Sequence, residues 1–272
     1  SKHKAELLLR LGRMNSGGDG MKRLEELVAS YGDSALAPRA LMELGETHYK
    51  DGRVSEAELA FTKLLTGYPD NDLAPAAGYG LAWCLYDQER HLEAADVLRQ
   101  VTAVAGEAGK TAIQQSAFEL RIWAEQKSEN AEGAVETFAG FAVTEPGEIR
   151  MFEAARAVAM ALRDAGEKQR ASQFLGDVAA KFGGSERASE SMVEVVYLEL
   201  DSDNPDAAND AMFTAHELTP DSATVAEAAF FVGEAWFALR EAQKAVDAYQ
   251  VAADNPECVV GAEAKYKMGF TL

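Results

Sequence analysis

The run Val104-Ala105-Gly106-Glu107-Ala108-Gly109-Lys110-Thr111 ends like a loop that cradles phosphate with its backbone N–H groups. That chemistry needs a glycine five residues before Gly109, where Val104 stands, and no strand pattern leads into it. A polar connection between two helices is the expectation. Gly78-Tyr79-Gly80 lacks the third glycine of a dinucleotide fingerprint. Asp201-Ser202-Asp203-Asn204-Pro205-Asp206 resembles a calcium loop superficially. However, Pro205 stands at a ligand place, and Asp206 stands where glycine is needed. It reads as a solvated turn between helices. His3, His48, His91 and His216 have no second histidine three or four residues away and no neighbouring cysteine, so none reads as a metal ligand. Cys84 sits between Trp83 and Leu85 with no base within a helical turn, which describes a buried, inert thiol. No carboxylate pair stands out from the acidic background. The expectation is a chain with no catalytic residue, no metal and no cofactor.

Composition narrows the partners. Asp and Glu number 45 against 26 Lys and Arg, a formal net charge of −19 over 272 residues. A phosphate-binding face needs excess cations, so nucleic acid and anionic membrane are excluded as main partners. No run of eighteen apolar residues is present, so no spanning helix and no direct membrane insertion is expected. Two cysteines, Cys84 and Cys258, cannot build a disulfide framework. The sequence opens Ser1-Lys2-His3-Lys4 and stops at Leu272 within a helical pattern, so the expectation is a fragment of a longer protein.

The chain repeats itself. Small residues at 57, 94, 134, 171, 208 and 245 are separated by 37, 40, 37, 37 and 37. Gly20 extends the series backwards by another 37. Four residues after each small residue come Leu24, Phe61, Leu98, Phe138, Leu175, Met212 and Tyr249. Three further on come Leu27, Leu64, Val101, Phe141, Val178, Ala215 and Ala252. All are apolar, and their spacing marks one buried stripe per helix. Each unit reads as two helices, broken in the second unit at Lys50-Asp51-Gly52 because glycine accepts the left-handed conformation that ends a helix. Pro38 and Pro75 fall just inside the following helix, where a missing N–H costs nothing. One hairpin cannot cover its own apolar face, so stacking is obligatory.

Leu41, Leu44, Gly45, Ala57, Phe61 and Pro69 resemble the signature of the tetratricopeptide repeat family, with His48 in place of Tyr and Leu64 in place of Ala. Val232, Gly233, Trp236, Ala245, Tyr249 and Ala252 resemble it again. The family's usual period is 34. The longer linker here, as in Tyr68 to Pro75, resembles a subgroup found in bacterial envelope proteins, such as the Tol–Pal-associated coordinator and outer-membrane assembly lipoproteins. The resemblance implies an all-α fold, a right-handed α-α superhelix of about seven helix-turn-helix repeats plus a partial helix. The repeats run about 1–37, 38–74, 75–113, 114–151, 152–188, 189–225 and 226–262, with 263–272 opening an eighth through Lys265, Met268, Gly269 and Leu272. Together they form a single array over 1–272. A bacterial periplasmic or envelope location is favoured over cytoplasm. The fourth repeat departs most, at its interval of 40.

In that family the first helix of each repeat lines a concave face. Carried over by position, that face comprises Arg39, Met42, Glu46 and Tyr49, then Tyr79, Trp83 and Tyr86. Later repeats add Arg156, Met160 and Arg163, then Val193 and Tyr197, then Phe230, Glu234 and Phe237. Tyr79, Trp83 and Tyr86 share one helical edge and either receive a peptide or pack on the neighbouring repeat. From Ala188 to Leu239 the chain has eleven acids and no Lys or Arg. This is either a solvated acidic surface or a dock for a basic segment; Arg156 and Arg163 would instead take a carboxylate. The resemblance thus implies a non-catalytic scaffold or adaptor binding a protein or peptide segment in the groove. Self-association, or regulation of an enzyme outside this fragment, is the alternative.

Overall fold

The computed structural model describes residues 2–14 and 18–271. Ser1 and Leu272, which the repeat reading placed at the opening and in the last helix, lie outside the described residues. The described residues form helices and connecting turns, with no strand among them.

The chain divides into two compact units, Ser1–Ser128 and Glu129–Leu272. The first holds α1 (Lys2–Met14), α2 (Gly18–Ser30), α3 (Ala37–Lys50), α4 (Val54–Gly67), α5 (Ala74–Asp87), α6 (His91–Glu107) and α7 (Thr111–Lys127). The second holds α8 (Ala131–Val143), α9 (Glu148–Asp164), α10 (Lys168–Phe182), α11 (Glu186–Asp201), α12 (Pro205–Leu218), α13 (Ala223–Ala238), α14 (Ala242–Asp254) and α15 (Gly261–Thr271). Within each unit every helix packs on the next. The odd-numbered helices also touch one another directly: α3 with α5, α5 with α7, and α9, α11, α13 and α15 in series. Within each unit they therefore make a closely spaced row.

Burial follows the repeat stripe. All fourteen apolar positions, from Leu24 to Ala252, are buried, and the small residues Ala57, Ala94, Ala134, Ala171, Ala208 and Ala245 have no exposed surface. Burying one such large side chain contributes roughly 1.5–3 kcal/mol, so the stripe is a substantial part of the cohesion in each unit. His48 is buried, as its repeat position implied.

Six turns share one backbone device. Gly52, Glu89, Glu129, Gly166, Asp203 and Arg240 all have positive φ, between 53° and 82°. They follow α3, α5, α7, α9, α11 and α13, the first helix of each pair. In these turns the next residue's N–H reaches back five positions, as from Arg53 to His48, Arg90 to Leu85, Glu167 to Leu162, Asn204 to Glu199 and Glu241 to Trp236. This closure satisfies carbonyls that the helix end would otherwise leave bare. Only two of the six are glycine, so four side chains accept a conformation L-residues avoid.

The odd helices from α3 to α15 begin one to four residues ahead of the repeat boundaries read from the sequence. For α11 and α13 the reason is capping. Ser185 Oγ accepts from the Ala188 N–H and Ser222 Oγ from the Val225 N–H, so each helix starts directly after its serine. Pro38 and Pro75 sit in the first turns of α3 and α5, as expected.

Candidate functional site

In the first unit the odd-helix row presents a cluster of rings. The Trp83 ring meets Tyr79 at 6.3 Å, Tyr86 at 5.8 Å and Trp123 at 6.4 Å between centroids, all edge to face. This is the favoured arrangement for aromatic quadrupoles. The rings lean on Ala82, Leu98 and Leu120 while each keeps part of its surface open. Trp123, on α7, escaped the sequence reading. It lies 40 residues after Trp83, so carrying the longer interval of the fourth repeat through would have placed it. On α3, Met42 packs against the core and Tyr49 donates to Asp87 Oδ2 at 2.6 Å. Burial, and then the Asp87 carboxylate, push the Tyr49 phenol above its ordinary range. Arg39 donates to Glu43 at 2.9 Å, and Arg13 reaches the same carboxylate at 3.0 Å. Arg39 and Glu46 line an open cleft of about 540 Å³ with Arg13, Met21 and Lys50.

In the second unit the row is more charged. Met160, Tyr197 and Phe237 are exposed. Val193 and Phe230 are not: at 5% and 6% exposure they belong to the core. The ring that reaches solvent beside Tyr197 is Phe231, one residue on, and the two stand 6.1 Å apart. Repeat position could not separate Phe230 from Phe231, because only the packing of α13 decides which of two adjacent rings turns inward.

The expected charge roles also change. Arg156 reaches Glu194 at 3.0 Å and Glu153 at 3.6 Å, while Arg163 bonds Asp164 at 3.0 Å. Both arginines thus already hold carboxylates of this chain. The cation-free acidic stretch is itself half neutralised by flanking helices. Lys168 meets Asp201 at 2.9 Å, Lys244 meets Asp206 at 2.8 Å, and Lys267 meets Glu234 at 2.8 Å. Arg187 pairs with Glu190. Glu234 additionally accepts from the Tyr249 hydroxyl. Partial burial alone would raise its pKa, but these two donors outweigh it and hold the carboxyl below its ordinary value.

The chemical motifs resolve into structure. Gly109 has positive φ in the α6–α7 turn, and Lys110 donates its Nζ to the Asp72 carbonyl. Two carboxylates of the Asp201–Asp206 turn are the lysine-bound ones just described. Cys84 is fully buried; burial first, then the Glu58 and Asp87 charges, push its thiol up to about 12. Among the described residues no three His, Cys, Asp or Glu side chains gather as a metal site would require. No described helix is long and apolar enough to cross a membrane.

Successive helix-turn-helix pairs, with aromatic rings clustered on odd helices of the first unit, define a helical-repeat protein. Residues 4–72 match the tetratricopeptide repeat family. Among solved structures, a tetratricopeptide repeat protein from Parabacteroides merdae is similar over 99% of both chains, with TM-score 0.52 and 14% identity. A Naa15/Naa10 complex bound to HypK-THB contains a chain similar over 98% of this one and 39% of its own length, with TM-score 0.56 and 14% identity. No curated protein matches this chain. The fold is that of the tetratricopeptide repeat, and by sequence the family is matched over residues 4–72.

Proposed function

We propose that this protein is a non-catalytic interaction scaffold whose odd-helix row binds a peptide or protein segment. The observation that carries the reading is the half-open ring cluster of Tyr79, Trp83, Tyr86 and Trp123 on helices joined by a buried stripe. Such rings give contact area at low entropic cost. The 37-residue clock runs through both units with one interval of 40, so the chain is read as one repeat series. A place among envelope-associated repeat proteins belongs to the same reading. The test is capture from the cells that make the protein, comparing wild type with Trp83→Ala plus Tyr86→Ala, both verified as folded. Loss of a specific partner is expected. Equal capture by both proteins would overturn the groove assignment.

A second reading, self-assembly, is favoured by α15. Its Tyr266 and Phe270 rings lie 4.7 Å apart, tilted by 53°, and are 65% and 67% exposed. A molar mass that rises with concentration, and stays constant in Phe270→Ser, is the expected sign. A constant monomer mass removes it.

A further inference from the structure

Four cations of the second unit are each held by a ring and a carboxylate together. Arg156 lies 5.8 Å over Phe152 and reaches Glu194 at 3.0 Å. Arg187 lies 5.9 Å over the same ring and pairs with Glu190. Lys244 lies 3.9 Å over Trp236 and reaches Asp206 at 2.8 Å. Lys267 lies 5.4 Å over Phe237 and reaches Glu234 at 2.8 Å. The physical logic is common to all four: the negative ring face and the carboxylate oxygen attract the same positive group from different sides.

The same ingredients meet again between α11 and α13, and there no Lys or Arg is seen over the rings among the described residues. Tyr197 and Phe231 stand 6.1 Å apart at an interplanar angle of 63°. They are 38% and 47% exposed. Glu227 lies one helical turn before Phe231 on α13. The repeat clock puts Glu227 in the place of Glu190 and Glu153, which hold Arg187 and Arg156. Among the described residues Glu227 has no such partner, and no Lys or Arg occurs between Ala188 and Leu239. The Tyr197 phenol is raised first by burial and then by Glu227 and Glu194, so the Glu227 field reaches the ring. Glu194 is occupied by Arg156, which leaves Glu227 as the open carboxylate.

We propose that Tyr197, Phe231 and Glu227 form a recognition site for one lysine or arginine side chain of a basic segment in a partner protein. This rests on the scaffold reading and supplies the chemistry of the partner at the second unit. The excess of acids over the whole chain would draw such a segment in by complementary charge.

The test is fluorescence anisotropy of a labelled Gly/Ser peptide carrying three spaced arginines, titrated with the intact protein at low salt. A matched peptide with neutral citrulline replaces each arginine as control. Expected are binding of the arginine peptide, and a loss of roughly tenfold in affinity for each of Phe231→Leu and Glu227→Gln. Glu217→Gln, an exposed acid on α12, removes the same charge elsewhere and is expected to leave affinity within about twofold. Phe231→Leu keeps apolar area, so a failure of packing is separated from loss of the ring. The proposal is overturned if the citrulline peptide binds equally, if Glu217→Gln weakens binding as much as Glu227→Gln, or if Phe231→Leu binds as wild type. It is also overturned if the patch serves only to pair two copies of this chain, seen as a dimer mass abolished by Phe231→Leu with no peptide binding. Partner capture through Trp83 is a separate readout on the other unit, so either reading can fail while the other stands.

Discussion

A Cβ built on Gly45 of α3 would lie 2.4 Å from Cε1 of the Phe61 ring on α4. The same ring tip also lies against Gly80 of α5, where a Cβ would meet Cζ at 2.6 Å. Phe61 is thus seated between two glycine backbones, one in its own repeat and one in the next. On α13 a Cβ built on Gly233 would likewise lie 2.5 Å from the Tyr249 ring.

Gly45→Ala is therefore expected to destabilise the protein by about 1–3 kcal/mol through overpacking, despite alanine's better helix propensity. Gly176→Ala on α10 is the control. Nothing lies within 4 Å of its Cβ position, and it is expected to stabilise by about 0.5–1 kcal/mol. Denaturant midpoints of the two variants check the contrast. Two shifts of the same sign would contradict the seating of the Phe61 ring.

Ala57 has no exposed surface and lies in a core cluster with Leu41, Phe61 and Leu81. Ala57→Arg is expected to cost more than about 3 kcal/mol, because it forces both volume and an unpaired charge into the stack. Wild-type melting would refute the stacking account.

Arg240 closes the α13–α14 turn at φ 62°. Arg240→Gly is expected to stabilise by about 1 kcal/mol, since the penalty of a left-handed L-residue exceeds the extra chain entropy of glycine. Gly166→Ala, at φ 82°, is expected to lose a similar amount. Thermal unfolding of both variants gives the signs directly, and a destabilised Arg240→Gly would mean that the side chain anchors the turn.

Glu234 has a folded-state pKa held below the ordinary 4.5 despite the opposing effect of burial, through Lys267 and the Tyr249 hydroxyl. The unfolded chain then binds more protons in that range, so stability rises with pH. The contribution is complete above about pH 5 and fades as pH falls through 4.5 towards the folded value. Glu234→Gln is expected to lower stability at neutral pH and to flatten the decline as pH falls below about 5. Parallel pH–stability curves for the two proteins would show that the Glu234 contacts do not contribute in this way.

The helix pairs and the buried stripe were legible because they depend on local spacing. A helix can hide only the residues that share one face, so Phe61, Leu98 and Met212 announce their burial by position alone. The left-handed turn residues were half legible. Gly52 declares itself, whereas Glu89 and Arg240 adopt the same φ only because stacked helices on both sides hold the turn closed. Ion pairing was not legible. Arg156 with Glu194, Lys168 with Asp201 and Lys267 with Glu234 each join neighbouring odd helices or successive repeats across more than thirty residues. Sequence alone showed a stretch without cations, and only packing revealed which of its acids are answered from outside it.

The amino-acid order by itself determined that this chain is helical, repetitive and acidic, because hydrophobic periodicity and net charge are properties of the string. Tertiary structure decided which surface is left exposed. It turned Phe230 inward and Phe231 outward, and it neutralised Glu194 but not Glu227. Side chains one residue apart on a helix differ by about 100° in direction, and only the neighbouring helices fix which direction is solvent.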